Sequence, residues 1–410
     1  MSINEKPKYY FNNEVYGRIY NWNAIFNMFD SLKVPDTVWK PRREILNSKY
    51  GVLISSRSIG KTSNVILLGL CQRALYNTQI VYIRSMEQEF TPTEAKKLVK
   101  VINEYDGGRY IKQLTKDKYN TIIYKARAFY YALVEDGQVI TKDIEECIKV
   151  VTVDRFEDYK STLNIPRGDF FVFDEFVHIR RYQPDEFVKF CDLFKTIARE
   201  RMSPVIFMLA NGVNLTSPYY SELEIKSYLR ALKDGQHISV STEDGTRIYI
   251  ERCAVPPKAK EKRAFFNSLF LGFKNPKLGA ITGGQLWALP NVPHLYSRAE
   301  SERVDYICRQ IYIDYEGEYL RLDIVDDDRN GVHLEVVPAG TIKDDAVILT
   351  LNPPSDPREI YLLGGRRRKL RRVILDIISE GKVFFATNEQ GAVFKSYIER
   401  ALDKESDPLI

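Results

Sequence analysis

The chain has 410 residues, 44% of them hydrophobic, with a formal net charge of +5. That length predicts two or three domains with ordinary cores, and the mild charge allows a nucleic-acid partner without demanding one. Five scattered cysteines (Cys71, Cys147, Cys191, Cys253, Cys308), none in a C-x-x-C pair, argue against a zinc site or a disulfide framework and fit a reducing cytoplasm. The first residues do not read as a signal peptide, and no apolar run reaches bilayer length, so no membrane partner is expected.

Residues 1–48 are mixed and aromatic, with Tyr9, Tyr10, Phe11, Trp22, Phe26 and Phe29. The run Gly51-Val52-Leu53-Ile54 predicts a strand over 51–55. It leads into Ser55-Ser56-Arg57-Ser58-Ile59-Gly60-Lys61-Thr62 and then a helix over 62–78 carrying Val65, Ile66, Leu67, Leu70, Cys71 and Leu75. A strand, a tight loop and Gly-Lys-Thr at a helix start make a phosphate cradle. Backbone N–H groups and the helix N-terminus face the anion, Lys61 neutralises the outer phosphates, and the Thr62 hydroxyl binds Mg²⁺. The implied ligand is ATP or GTP, with one of the N-terminal aromatics against the base. Gly-Lys-Thr alone is weak, since a polar turn capping a helix reads the same way, and the loop opens with Ser55 where the usual pattern has Gly. Arg57 lies inside the loop, facing either the γ-phosphate or solvent.

Ile80 to Arg84 reads as the next strand and 91–104 as a helix. Alternating residues over about 119–153, punctuated by Glu135-Asp136-Gly137, predict a β-hairpin insertion. Arg155 to Arg167 is polar and reads as a loop. Phe170-Phe171-Val172-Phe173 then reads as a central parallel strand, ending in Asp174-Glu175. Asp174 suits the water shell of Mg²⁺, and Glu175 suits orientation and deprotonation of an attacking water. Each acid could be a solvated strand end, but the two motifs in this order specify an NTPase.

A helix over 185–201 precedes a strand over 204–210 that ends at Asn211-Gly212, and 246–250 closes the sheet. Asn211 either senses the γ-phosphate or serves as a turn residue before Gly212. Arg199 and Arg201 lie at the strand edge opposite the nucleotide, on the order of 20 Å away, so neither reaches its own nucleotide. They serve either as an arginine finger on a neighbouring subunit or as a basic helix terminus. Residues 255–300 read as a linker or hinge subdomain. From 301 a second domain follows, with strands over 306–314, 318–325, 332–337 and 346–351 and helices over 366–380 and 390–402. Its basic run Arg366-Arg367-Arg368-Lys369-Leu370-Arg371-Arg372 lacks acids at balancing spacings and points to nucleic-acid contact.

Ser-Ile-Gly-Lys-Thr at 58–62, Val-Tyr-Ile-Arg at 81–84, Phe-Val-Phe-Asp-Glu-Phe at 171–176, Ala-Arg-Glu-Arg at 198–201 and Leu-Ala-Asn-Gly-Val at 209–213 together resemble the DNA-packaging ATPases of short-tailed phages with small, protein-primed genomes, relatives of terminase large subunits. Val-Asn-Leu-Thr-Ser-Pro-Tyr-Tyr at 213–220 also fits, and the C-terminal part agrees more faintly. The resemblance implies an α/β P-loop NTPase of the additional-strand catalytic-glutamate class, a mainly parallel sheet flanked by helices, over 1–254. It implies an α+β RNase H-like domain over 301–410 that does not cleave and binds nucleic acid or the portal. The implied cofactors are ATP and Mg²⁺. The implied partners are double-stranded DNA, the portal vertex of a procapsid and further copies in a pentameric ring, with a structural RNA left open, in the host bacterial cytoplasm. By position, Lys61 and Thr62 take phosphate and Mg²⁺, Asp174 supports the metal, Glu175 is the base and Arg199 is the finger acting in trans.

Three positions depart from the pattern or fit it loosely. Glu87 stands where a basic residue is expected after the second strand, Lys160 is a candidate for gripping DNA from the predicted loop, and Asp314 is the one strand-borne acid suggestive of a nuclease. The competing readings are a non-ring nucleic-acid NTPase, such as a helicase or regulator, and a terminase-like nuclease with a P-loop domain.

Overall fold

A computed structural model describes residues 11–12, 17–18, 20–55, 59–104, 108–177, 182–183, 185–199, 201–211, 217–243, 245–260, 292–299, 301–315, 318–351, 354, 356–361 and 368–405. Contacts divide the chain into two compact units, Met1–Trp287 and Ala288–Ile410.

The first unit runs β1 (Phe11–Asn12), β2 (Gly17–Arg18), α1 (Trp22–Ser31), β3 (Tyr50–Ser55), α2 (Lys61–Tyr76), β4 (Gln79–Arg84), α3 (Pro92–Glu104), α4 (Arg109–Thr115), β5 (Thr121–Lys125), β6 (Ala128–Glu135), β7 (Gln138–Lys142), β8 (Ile148–Thr152), α5 (Phe156–Thr162), β9 (Gly168–Asp174), α6 (Glu186–Ala198), β10 (Val205–Asn211), α7 (Pro218–Glu222), α8 (Lys226–Ala231), β11 (His237–Ser241) and β12 (Arg247–Arg252). Its main sheet has the order β11-β12-β3-β10-β9-β4-β8-β6-β5, with β7 pairing β6. The six strands from β12 to β8 are parallel, and β11, β5, β6 and β7 are antiparallel additions. β10 therefore separates the phosphate-loop strand β3 from the Asp-Glu strand β9.

The central strands are apolar throughout because both faces are covered. Their period-two alternation sends Leu53, Ile80, Tyr82, Phe170, Val172, Phe207 and Leu209 to the core shared with α1 and α2. Val52, Ile54, Val81, Ile83, Phe171, Phe173, Ile206 and Met208 go to the core shared with α6, α7 and α8. Helix α2 is buried nearly all round. Gly69 is what lets it lie so close to the sheet: a Cβ there would stand 2.8 Å from Ile80 Cδ1 and 2.9 Å from Phe170 Cδ1.

Several elements differ from expectation. The 119–153 segment is more than a hairpin, since β8 joins the parallel sheet beside β4. Polar 155–167 is not simply a loop: Phe156, Tyr159 and Leu163 recur at helical spacing, and α5 packs that stripe on the core. Lys160 is therefore on a helix. Helix α6 stops at Ala198, so Arg199 and Arg201 lie beyond it, and Arg199 has φ 45°. Strand β11 is half exposed and polar on one side, which left no apolar run to read.

The second unit contains β13 (Val304–Tyr315), β14 (Glu318–Asp327), β15 (Gly331–Pro338), β16 (Val347–Thr350), β17 (Glu359–Tyr361), α9 (Arg368–Ser379), β18 (Val383–Phe385) and α10 (Asn388–Glu405). Its sheet has the order β17-β16-β13-β14-β15-β18. The first three strands form an antiparallel meander, whereas β16 runs parallel to β13, β17 to β16 and β18 to β15. Residues 292–299, expected within a linker, are part of this unit: Leu295 N–H donates to Phe385 O at 3.0 Å and Phe385 N–H to Pro293 O at 2.8 Å. The short strands β17 and β18 were too brief to read from sequence.

Gly69→Val should lower stability by about 1–3 kcal/mol through overpacking, although a glycine in a helix ordinarily costs stability. A urea unfolding midpoint equal to wild type would show that α2 has room to move away from β4 and β9.

Candidate nucleotide site

Alternation continues to the C-terminal tips of the parallel strands. Ser55 on β3, Asn211 on β10, Asp174 on β9 and Arg84 on β4 each follow the residues that face α2, so four neighbouring strands present a row of polar side chains on one face. Asn211 pairs in register with Ser55. Helix α2 begins over this row. Gly60, with φ 85°, caps it in the left-handed conformation that favours glycine, which brings Lys61 and Thr62 down onto the row.

The Lys61 ammonium donates to Ser55 Oγ and, at 3.2 Å, to Asn211 Oδ1. Both acceptors are neutral, and Lys61 is 5% exposed. Burial accordingly pulls its pKa down to about 8, against the weaker opposing pull of Cys253, Asp174 and Glu175. A buried cation held by neutral acceptors at a helix N-terminus suits a polyanion. Ser55 needs no glycine-like freedom here. It is the last residue of β3, and its hydroxyl serves Lys61.

Thr62 Oγ1 donates to Asp174 Oδ1 at 3.1 Å, and Tyr82 Oη donates to Asp174 Oδ2 at 2.6 Å. Burial raises the Asp174 pKa, with Arg84, Tyr82 and Thr62 opposing. The hydroxyl of Thr62 and the carboxylate of Asp174 are hard oxygen donors beside that cation, a pair that could hold Mg²⁺ completed by water and a bound anion. Glu175 adopts φ 56°, a strained backbone for a residue other than glycine, and its carboxylate accepts from Arg84 at 2.6 Å. Arg84 also lies 3.8 Å from Asp174 and 3.8 Å from Glu89.

The sites expected from sequence are thus partly gathered. Ser55, Ile59, Gly60, Lys61, Thr62, Asp174, Glu175 and Asn211 sit at this edge, while Ser56, Arg57 and Ser58 lie outside the described residues. Tyr82 and Arg84, which touch Asp174 and Glu175 at this edge, were not among the residues expected from sequence. The available signal was a tyrosine and an arginine two residues apart closing an apolar strand, but their use depends on β4 lying beside β9.

The two distal arginines separate. Arg201 donates to Asp169 Oδ1 at 2.9 Å and to Gly168 O at 3.0 Å, at the start of β9. Asp169 is buried and also accepts from Tyr20 and Ser203. Arg199 donates its backbone N–H to Lys195 O at 2.9 Å, while its exposed side chain has no hydrogen bond or ion pair with any described residue. Lys160 pairs with Glu157 at 2.9 Å. Glu87, the acid at an expected basic position, is gripped by Arg127 and by Arg155 at 3.0 Å, so two guanidiniums converge there.

In the second unit, Arg366 and Arg367 lie outside the described residues; Arg368, Lys369, Arg371 and Arg372 are on α9, where the Lys369 and Arg372 side chains are exposed. Contrary to the expectation of absent acids, Asp376 lies 3.9 Å from Arg372 one turn on, with both side chains exposed. Among the described residues no group of three His, Cys, Asp or Glu side chains is arranged to hold a metal.

No family model matches the chain, and no curated protein matches it. Among solved structures it is similar to the Phi-28 gp11 DNA packaging motor, at 18% identity and a TM-score of 0.52, covering 90% of this chain and 98% of that one. It is also similar to a chain of the bacteriophage Phi-29 viral genome packaging motor assembly, at 16% identity and a TM-score of 0.50, covering 89% and 99%. The fold of this chain is therefore that of phage DNA-packaging motor proteins, and the likeness covers nearly its whole length.

The lowered Lys61 pKa gives a signed expectation. Bound polyphosphate favours the charged amine, so binding takes up a proton once pH exceeds about 8. ATP affinity should be level below that pH and fall as pH rises above it. Titration calorimetry between pH 7 and 9.5 in buffers of different ionisation enthalpy reads both effects, and Lys61→Met should abolish the proton uptake.

Proposed function

We propose that this chain is the ATPase of a phage DNA-packaging motor, hydrolysing ATP to drive double-stranded DNA into a procapsid. The observation that carries the proposal is the gathering of Lys61, Thr62, Asp174 and Glu175 at one sheet edge, with β10 interposed between β3 and β9. That interposed strand, ending in Asn211, supports assignment to the additional-strand catalytic-glutamate class.

Lys61 and the α2 N-terminus hold the outer phosphates, and Thr62 with Asp174 holds Mg²⁺. The metal supplies charge neutralisation on the phosphate oxygens. Asn211, beside Lys61, is placed to meet the γ-phosphate or the water. Glu175 orients and deprotonates that water. In the described geometry its carboxylate is occupied by Arg84, so Glu175 must exchange this ion pair for the water before it acts.

The finger comes from a neighbour. Arg199 sits beyond α6, at the sheet edge opposite Lys61, and the length of β9 puts it on the order of 20 Å from its own site. It is exposed and occupies a left-handed C-cap usually given to glycine. Arg201 is committed to Asp169, which leaves Arg199 as the available guanidinium. A residue unable to serve its own site and free to serve another fits a head-to-tail ring.

The second unit supports an RNase H-like reading through its antiparallel meander with β16 and β17 added in parallel beside β13. No helix intervenes between β15 and β16, a departure from that plan. The basic start of α9 offers Lys369 and Arg372 to DNA phosphates, a contact insensitive to sequence and weakened by salt. The portal vertex and any structural RNA are partners of the same reading.

Three outcomes test this. Glu175→Ala and Arg199→Ala proteins should each lack DNA-stimulated ATPase activity and recover part of it when mixed; an active Arg199→Ala protein would remove the finger. Arg199→Gly should be as stable as wild type or more stable by about 1 kcal/mol, because the left-handed cap suits glycine, and yet be inactive. Replacing Lys369 and Arg372 by alanine should flatten the slope of DNA affinity against log salt by about two phosphate contacts, and an unchanged slope would place the DNA elsewhere.

A further inference from the structure

We infer that Tyr82 is a positioning residue for the metal-binding carboxylate, setting Mg²⁺ affinity through Asp174; the inference rests on the nucleotide-site reading above. Tyr82 lies on β4 on the α2 face, two residues before Arg84, and is buried. Strand β4 pairs in parallel with β9, with Tyr82 opposite Val172, so its long side chain reaches one pleat further along the same face to Asp174. Its hydroxyl donates to Oδ2 at 2.6 Å. The other oxygen, Oδ1, faces Thr62 at 3.1 Å.

The two oxygens of Asp174 are therefore addressed from different elements. Tyr82 holds one from the strand, and the other is left toward Thr62 and the phosphate seat. Arg84, at 3.8 Å from Oδ2, is too far for a hydrogen bond and points its closer contact at Glu175. Without the Tyr82 hydroxyl, nothing else described donates to Oδ2 at hydrogen-bonding distance, and the carboxylate could turn about its Cβ–Cγ bond. Outer donors that orient a metal-binding carboxylate change metal affinity by about 10–100-fold when removed. The ring packs at 5.4 Å from that of Phe90, so Tyr82→Phe keeps its shape in the core while deleting the hydroxyl.

The test is ATP binding by the full-length protein, titrated with Mg²⁺ from an EDTA baseline. Tyr82→Phe should raise the Mg²⁺ concentration at half-effect by about tenfold or more, with Mg²⁺-free ATP affinity unchanged. In an Asp174→Asn background, Tyr82→Phe should add little, because the effect travels through that carboxylate. A half-effect concentration within twofold of wild type overturns the inference. So does an equal loss of Mg²⁺-free affinity, or outright unfolding, since the hydroxyl would then be supporting the fold. If the wild-type protein shows no Mg²⁺-dependent ATP binding, the nucleotide reading falls and this inference with it. Mg²⁺-dependent binding that Tyr82→Phe leaves untouched removes this inference alone.

Discussion

The site depends on one constraint: four adjacent parallel strands end with their polar residue on the same face. A sheet covered by helices on both sides must keep strict alternation, because a one-residue slip would put Asp174 among Phe190, Tyr219 and their neighbours and a phenylalanine over the phosphate seat. With register held by apolar side chains on both faces, Ser55, Asn211, Asp174 and Arg84 line up under the first turn of α2. The Thr62–Asp174 hydrogen bond then ties the first turn of α2, the helix that follows β3, to the end of β9, although β10 lies between those two strands. Burial of α2, including its close approach at Gly69, is thus what brings Lys61 and Thr62 within reach of the acid at the end of β9.

The charges at that edge are held in a state suited to change. Lys61 is buried against neutral oxygens, Asp174 is buried yet hydrogen-bonded on both oxygens, and Glu175 combines backbone strain with an ion pair to Arg84. Each arrangement costs stability on its own. A polyphosphate with its metal would relieve the first two by pairing Lys61 and recruiting Asp174. Relief of the third needs Arg84 to let go of Glu175.

Arginines elsewhere divide by burial of their partners. Arg201 closes on an aspartate without solvent exposure, and in the second unit Arg321 forks onto buried Asp323 at 2.8 and 2.9 Å while Arg298 reaches both Asp327 and Glu335. Removing such a cation would strand a buried acid, so these are fixtures of the fold. Arg199, exposed on a left-handed cap, and the arginines around exposed Glu87 have no such tie, and solvent-screened pairs of this kind exchange partners at little cost.

The amino-acid sequence alone determined the local chemistry: the apolar strand into Gly60-Lys61-Thr62 and the strand ending in Asp174-Glu175. The two motifs are legible because each is carried by contiguous residues whose periodicity and composition have direct physical consequences. Helix α5 was misread because its apolar stripe is only three residues long, and β11, β17 and β18 because short or half-exposed strands leave little pattern. The full order of the strands belonged to the tertiary structure, the sequence having implied only the additional-strand class through its resemblance. That order put β10 between β3 and β9 and β4 beside β9, which gave Tyr82 and Arg84 their partners, and the fold gave Arg201 the buried Asp169 as its partner. Pairings between residues 92 and 32 positions apart, such as Tyr82 with Asp174 and Arg201 with Asp169, have no local signature. They exist only once the hydrophobic cores have fixed which strands are neighbours.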